Sequence, residues 1–217
     1  MNDERLITCN ESLYGKYRRE LKSGVVFGVI ATIILLFLAV AIICTSFVFI
    51  KVKVSGASME STLYSGDVVM VNAYGTPDYG DVIIISGEKT NGDWLIKRAI
   101  AFGGDTVKIK GGYVFLKKAG ETEFTKLIEP YLERQGITFY PDVKNTNDTA
   151  EYVWAIEEGH IFYLGDNRKN SSDSRSQYGT CDKSQVIGVV SEFALKIKGV
   201  NNFLDRVSQA ISGIFGS

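Results

Sequence analysis

The sequence predicts a mostly β protein in which one N-terminal transmembrane helix precedes an antiparallel β domain. The helix is indicated by residues 24–50, a run without a single charged side chain. Beyond this run the chain changes to short segments rich in Val, Ile, Tyr and Phe, most of them bounded by Gly, Asp or Asn. No segment between residues 51 and 198 keeps a helical period for four turns. An antiparallel β-sheet or partly open barrel is therefore expected.

The apolar run at 24–50 is long enough to cross a bilayer. A spanning helix needs about 20 apolar residues, whereas the apolar core of a cleaved signal peptide has only about 7–15. Ala39-Val40-Ala41 resembles a cleavage site, but it lies inside the run, which continues uncharged to Ile50. The run therefore predicts a permanent anchor.

The charges that flank the anchor predict its orientation. Four basic residues lie close together just before the run: Lys16, Arg18, Arg19 and Lys22. Lys51 and Lys53 follow the run, but basic residues at the start of a long translocated domain have little influence on topology. Residues 1–23 are therefore expected in the cytoplasm and the β domain, 51–198, on the other side of the membrane.

The β domain contains seven predicted strands, at residues 67–73, 81–85, 94–101, 106–109, 113–117, 161–164 and 186–193. The stretch at 118–155 is polar and charged, which predicts an inserted cap rather than a separate domain. Residues 199–217 place apolar side chains at helical spacing. This pattern predicts a short amphipathic helix, and two positions for it stay open: packed on its own domain, or resting on the membrane surface.

Composition argues against several classes of protein. The net charge is −1, which gives no electrostatic footprint for nucleic acid. The three cysteines lie at unrelated spacings, and His160 is the only histidine, so neither a disulfide framework nor a metal site is expected. No cofactor is predicted. A single histidine also weakens a Ser-His catalytic pair.

Three segments carry residues suited to chemistry. At 55–63, small residues surround Ser58 and leave its hydroxyl accessible. At 95–100, Lys97 lies in an apolar strand, and burial can lower a lysine pKa by up to about 3–5 units. A neutral amine can then take the proton of a serine hydroxyl. At 165–175, a polar loop follows a strong strand. Taken singly, each segment has an ordinary alternative: a Ser/Gly turn, an outward-pointing lysine and a solvated loop.

Taken together and in order, the three segments resemble the serine, lysine and GDNR boxes of bacterial type I signal peptidases. The family patterns are SGxSMxPTL, KRVxGxPGD and GDNRxxSxDSR, and the counterparts here are SGASMESTL, KRAIAFGGD and GDNRKNSSDSR. The resemblance implies a Gram-positive-like serine endopeptidase in the bacterial cell membrane. Its partners would be the lipid bilayer and secretory precursors, whose signal peptides it would remove at Ala-x-Ala-type sites.

The resemblance also implies the role of each site residue. Ser58 would be the nucleophile, with its backbone N–H in the oxyanion hole, and Lys97 would be the general base. Ser171 would hydrogen-bond and orient the lysine amine. Asp173 and Arg175 would form a structural ion pair behind the site.

The resemblance further implies a pocket for a small substrate residue. Its apolar walls would be formed by Met59, Leu63, Leu95 and Ile96. Some relatives place a hydroxyl two residues before the nucleophile as a second oxyanion donor, but this chain has Gly56 there. The second donor is therefore open.

Two departures from the family pattern affect the backbone. Ser61 replaces the proline of the serine box, and Gly103 replaces the proline of the lysine box; Ala99 and Ala101 are milder changes. Both losses are expected to free a backbone that the family keeps stiff. No side chain needed for chemistry is missing, so activity is expected.

The sequence has two alternative interpretations besides a general signal peptidase. One is a non-catalytic or specialised surface or pilus-assembly factor that keeps the fold, and the presence of both Ser58 and Lys97 argues against a non-catalytic one. The other is a self-cleaving repressor with a Ser-Lys pair. Such a repressor would carry a DNA-binding domain where this chain has its apolar run.

Overall fold

The computed structural model describes residues 24–42, 48–87, 92–140 and 150–215. The chain forms two compact units, Met1–Phe47 and Val48–Ser217. In the first unit the described residues form helix α1, Gly24–Ile42. The most apolar window of this helix has a mean hydropathy of 3.1 and contains no buried residue. At about 1.5 Å per residue the helix is roughly 29 Å long, close to the thickness of a bilayer's hydrocarbon core. Its length and composition therefore suit a membrane span.

The rest of the predicted 24–50 anchor is not part of α1. Residues 43–47 lie outside the described residues, as do the predicted cytoplasmic residues 1–23. Phe49 and Ile50 belong to strand β1, Phe49–Lys53, whose side chains alternate between exposed and half-buried. This alternation has the period of a strand at the surface of a sheet.

The second unit is built mainly from strands. After β1 come β2 (Val68–Asn72), β3 (Val82–Ile85), β4 (Leu95–Phe102), β5 (Thr106–Lys110), β6 (Tyr113–Lys117), β7 (Thr125–Lys126), β8 (Glu151–Ala155), β9 (His160–Leu164), β10 (Cys181–Asp182) and β11 (Val186–Val190). A 3₁₀ turn, Lys183–Gln185, precedes β11, and two helices follow it: α2 (Glu192–Lys196) and α3 (Lys198–Phe215).

The strands form two antiparallel sheets, which confirms the predicted fold class. A seven-stranded half-barrel has the order β1-β2-β11-β3-β4-β9-β10, and a smaller sheet has the order β7-β6-β5-β8. The strand predicted at 186–193 ends at Val190 because Ser191 caps α2, accepting a hydrogen bond from the Ala194 N–H. The last predicted strand residues are therefore helical.

The stretch predicted as a cap at 118–155 contributes to the smaller sheet at both ends. β7 pairs with β6, and β8 pairs with β5. Residues 127–140 form a connecting segment, which we call the cap segment, and 141–149 lie outside the described residues. The Thr138 N–H donates to the Gly112 carbonyl, which attaches this segment to the β5–β6 turn.

Candidate active site

Ser58 and Lys97 lie in direct contact. The Lys97 amine and the Ser58 hydroxyl are 2.8 Å apart, and the amine also donates to the Ile96 carbonyl at 3.0 Å. Lys97 is the third residue of β4 and is only 3% exposed. The structure thus brings together the two residues that the sequence assigned to nucleophile and base.

The loop that carries Ser58 is anchored by two side chains that are buried in the hydrophobic core. Met59 and Leu63 are buried in the cluster that also contains Val69 and Ile84. The Leu63 N–H donates to the Met59 carbonyl, which closes one turn of chain directly after Ser58. Burial of these two apolar side chains therefore fixes the serine at the surface of the core.

Burial lowers the pKa of Lys97 to about 8, although the nearby Asp173 and Asp166 carboxylates act in the opposite direction. A charged ammonium loses hydration when it is buried, so the neutral amine is favoured. At pH 7 a group with a pKa of 8 is about one-tenth neutral, against about one part in 3000 for a lysine with a pKa of 10.5. The site therefore supplies a base that an exposed lysine would not.

Asp173 and Arg175 form the ion pair that the sequence predicted in the GDNR loop. Arg175 Nε and Nη2 each lie 2.8 Å from a different Asp173 carboxylate oxygen, and both side chains are buried. Asp173 also accepts the Gly165 N–H at 3.1 Å. This bidentate ion pair stabilises the turn of the GDNR loop behind Lys97.

Ser171 lies beside the serine loop but does not contact the lysine amine through a hydrogen bond. Among the described residues its buried hydroxyl has no hydrogen-bond partner. A Cβ atom on Gly165 would come within 2.2 Å of the Ser171 hydroxyl and 2.5 Å of the Ser58 carbonyl oxygen. Gly165 therefore permits the close packing of these three residues, while the orienting role of Ser171 stays a prediction.

A second buried ion pair lies beside the site and was not predicted. Arg98 Nε donates to one Asp166 oxygen at 2.8 Å, and Nη2 donates to the other at 2.5 Å. The Thr62 hydroxyl donates to the same carboxylate, and Arg98 Nη1 donates to the Gly80 carbonyl. The pair joins β4, the serine loop and the GDNR loop. In the sequence, the signal for this ion pair was a second basic residue, Arg98, next to Lys97 in an apolar strand.

A third pair attaches the cap segment to the GDNR loop. Arg168 Nη1 lies 3.1 Å from one Glu129 oxygen, and Arg168 Nε donates to the Gly165 carbonyl at 3.0 Å. The neighbouring Asn167 N–H donates to the Ser58 carbonyl at 3.0 Å. Nothing local in the sequence marks Glu129, because its partner is 39 residues away.

A cavity of about 430 Å³ opens beside Ser58 and Lys97. Three of the four predicted pocket residues line it, namely Met59, Leu95 and Ile96, together with Val52, Val54 and Trp94. The fourth, Leu63, is fully buried in the core instead. A larger cavity of about 830 Å³ lies between the serine loop and the cap segment, but neither Ser58 nor Lys97 lines it. Among the described residues, no three His, Cys, Asp or Glu side chains group as metal ligands.

Neither position that has lost the family proline has a conformation that accepts one. Ser61 has a φ of +82°, which a proline cannot adopt, and its hydroxyl donates to the Tyr131 carbonyl of the cap segment at 2.8 Å. A Cβ atom on Gly103 would lie 2.7 Å from the Glu158 Cα and 2.8 Å from the Glu157 carbonyl oxygen. Neither position would accept a proline in this conformation, and the expectation that the substitutions free the backbone stays a prediction. One position is held in a left-handed conformation, and the other is packed against a neighbouring turn.

Adding a side chain at Gly103 should therefore destabilise the protein. We expect Gly103→Ala to lower the free energy of unfolding by about 1–3 kcal/mol, because the added methyl group meets backbone atoms that cannot move aside cheaply. Urea unfolding of the solubilised protein measures this. Gly199→Ala is the matched control, since no atom lies within 4 Å of its Cβ position. Equal unfolding midpoints for the two variants would contradict the close packing at Gly103.

Comparison with known proteins identifies the family. The family model described as "Signal peptidase, peptidase S26" matches residues 27–194. This chain belongs to the signal peptidase S26 family. The family is one of serine peptidases, so the chain is placed among enzymes that cleave peptide bonds. The match covers most of α1, both sheets and all three boxes.

Relatives in the signal peptidase family come from Gram-positive bacteria. The chain is 34% identical over 162 residues to signal peptidase I of Bacillus licheniformis, covering 71% of this chain and 81% of that one. It is 30% identical over 185 residues to signal peptidase IB of Staphylococcus aureus, covering 80% and 89%. A crystal structure of signal peptidase I from Enterococcus faecalis is 26% identical and covers 54% of this chain and 98% of its own, with a TM-score of 0.40.

Proposed function

We propose that this protein is a membrane-anchored endopeptidase that removes signal peptides from secretory precursors, with Ser58 as nucleophile and Lys97 as general base. The observation that carries the proposal is the 2.8 Å contact between the Ser58 hydroxyl and the buried Lys97 amine. Family membership gives the class of reaction, and this contact gives it a pair of reacting groups.

The reaction follows from the two groups. The neutral Lys97 amine takes the proton as the Ser58 oxygen attacks the scissile carbonyl carbon. The resulting ammonium returns that proton to the leaving amine, which departs as the new N-terminus of the mature protein. A water molecule, deprotonated by the same amine, then hydrolyses the acyl-enzyme and frees Ser58. The Ser58 backbone N–H stabilises the oxyanion.

The cavity beside Ser58 supports an extended substrate with small side chains. β3 pairs with β4 from Leu95 onward, whereas β9 pairs with β4 only from Arg98 onward. Among the described residues, no strand pairs with the second edge of residues 95–97, which supports a substrate strand that adds to the sheet there. The apolar side chains of Met59, Leu95 and Ile96 line the cavity, and the family resemblance supports small substrate residues there. We therefore place alanine at the first and third positions before the scissile bond.

We also propose that the N-terminus lies in the cytoplasm and the β domain outside. The length and composition of α1 support the anchor, and the basic residues at 16–22 support the orientation. In this arrangement the catalytic domain meets precursors after they have crossed the membrane.

The test has two steps. In intact cells, protease added to the medium should digest the β domain, and protection of that domain would reject the proposed orientation. The detergent-solubilised full chain is then incubated with a precursor that has an Ala-x-Ala site. We expect one cut after the second alanine, and no cut by Ser58→Ala. Absence of cleavage by the unaltered chain would favour the assembly-factor alternative.

A further inference from the structure

Helix α3 contacts the β domain through its polar face. Lys198, Asn202 and Asp205 are half-buried, and they lie three or four residues apart on one side of the helix. Asn202 accepts the Val68 N–H at 2.7 Å and donates to Asp67 at 2.9 Å. Asp205 pairs with Lys51 of β1. Among the described side chains of α3, hydrogen bonds and charges therefore hold the helix in place.

The opposite face of α3 is apolar and exposed. Val200, Phe203, Leu204 and Val207 follow the i, i+3, i+4, i+7 spacing, and they are 57%, 64%, 56% and 39% exposed. A surface helix of a soluble protein normally buries such a stripe against its own core. In α3 the arrangement is reversed, which leaves a continuous apolar stripe without cover from its own domain.

The position of α3 in the chain indicates what lies against its apolar face. The Asp205–Lys51 pair ties α3 to β1, and β1 begins seven residues after the end of α1 at Ile42. Seven residues span at most about 25 Å when fully extended. A bilayer that holds α1 is therefore within reach of the strand on which α3 is fixed.

We infer that the apolar face of α3 lies in the interfacial region of the bilayer that holds α1, as a second membrane contact of this chain. Lys198, the first residue of α3, donates to the Thr62 carbonyl at 2.7 Å, four residues beyond Ser58. The second contact would thus hold the serine loop at a fixed distance from the membrane surface. At this distance the loop would meet the part of a precursor that follows its membrane-embedded apolar segment. This inference rests on the proposed membrane anchor.

The first test measures which face of α3 meets lipid. An environment-sensitive fluorophore is attached to Phe203→Cys or to Gln209→Cys in the full chain, with Cys9, Cys44 and Cys181 replaced. The protein is reconstituted into vesicles of phosphatidylcholine and phosphatidylglycerol at 3:1. We expect nitroxide-labelled lipid to quench the label at 203 at least threefold more than the label at 209, and aqueous iodide to show the reverse order. Equal access of iodide to both positions would overturn the inference. Protection of position 203 from both quenchers would overturn it in favour of a second copy of the chain.

The second test separates this inference from the proposed function. Phe203→Asp with Leu204→Asp should reduce precursor cleavage at least fivefold in the same vesicles and leave cleavage in detergent unchanged. The matched control, Ser208→Asp with Ser212→Asp, adds the same charge at exposed polar positions and should cleave normally in both. Equal cleavage by the two variants in vesicles would overturn the inference, and so would loss of cleavage in detergent by the first variant alone. Failure of the unaltered chain in detergent would instead reject the proposed function, while the quenching result would still stand.

Discussion

Replacement of Lys97 by arginine should reduce kcat/KM by about 10³-fold or more. General-base catalysis contributes roughly 10²–10⁴-fold, and an attacking serine without its base is a poor nucleophile. A guanidinium has a pKa above about 12 and does not release its proton at usable pH, so it keeps the charge of Lys97 but not its chemistry. The buried site would also have to accommodate the larger group, since Lys97 is only 3% exposed.

Initial rates of precursor cleavage measure the Lys97→Arg effect. Lys110→Arg is the matched control, because the Lys110 side chain is 56% exposed at the end of β5. The control should cleave normally, and circular dichroism of both variants should show that each is folded under the assay conditions. A Lys97→Arg protein within tenfold of normal turnover would remove Lys97 from the mechanism.

A precursor with phenylalanine directly before the scissile bond should be cut at least 10²-fold more slowly than its alanine counterpart. The walls formed by Met59, Leu95 and Ile96 lie next to the Ser58–Lys97 contact, so a large side chain that does not fit displaces the scissile carbonyl from Ser58. A displacement near 1 Å can cost roughly 10²-fold in rate. Proline directly after the bond should also block cleavage, because it changes both the leaving amine and the backbone path.

The matched precursor control carries the same phenylalanine several residues into the mature part, outside the cavity. It should be cut like the alanine precursor. The mass of the released product identifies the bond, and Ser58→Ala serves as the blank. Equal rates for the Ala and Phe precursors would reject the pocket while leaving the Ser-Lys chemistry untouched.

Most of the fold was predictable because its signals are local. Runs of β-branched and aromatic residues between turns gave β2 to β6, β9 and β11 to within a few residues, apart from the residues after Val190. β1 was missed because its first residues continue the apolar run, and only the alternation from Phe49 to Lys53 distinguishes them. β8, with the sequence EYVWA, was missed because the polar and charged residues that precede it led the whole stretch at 118–155 to be interpreted as a cap.

The site was predictable only as far as its motifs extend. The three boxes led to Ser58, Lys97 and the Asp173–Arg175 pair. They gave no indication that Glu129 binds Arg168 or that Ser61 donates to Tyr131, since both contacts join segments distant in sequence. The amphipathic pattern of 199–217 likewise could not show which face of α3 meets the domain. That depends on Asp67 and Lys51, far away in the chain.

The central claim is that Lys97 activates Ser58 as a neutral amine, and the titration of Lys97 itself tests it most directly. In protein labelled with ¹³C at the lysine ε carbons, the Lys97 signal is the one absent from Lys97→Arg. Burial lowers its pKa to about 8, so its chemical shift should titrate near that value, and kcat/KM should rise with pH through the same midpoint as the protonated fraction falls. A Lys97 signal that titrates near 10.5, with cleavage already maximal at pH 7, would contradict the mechanism.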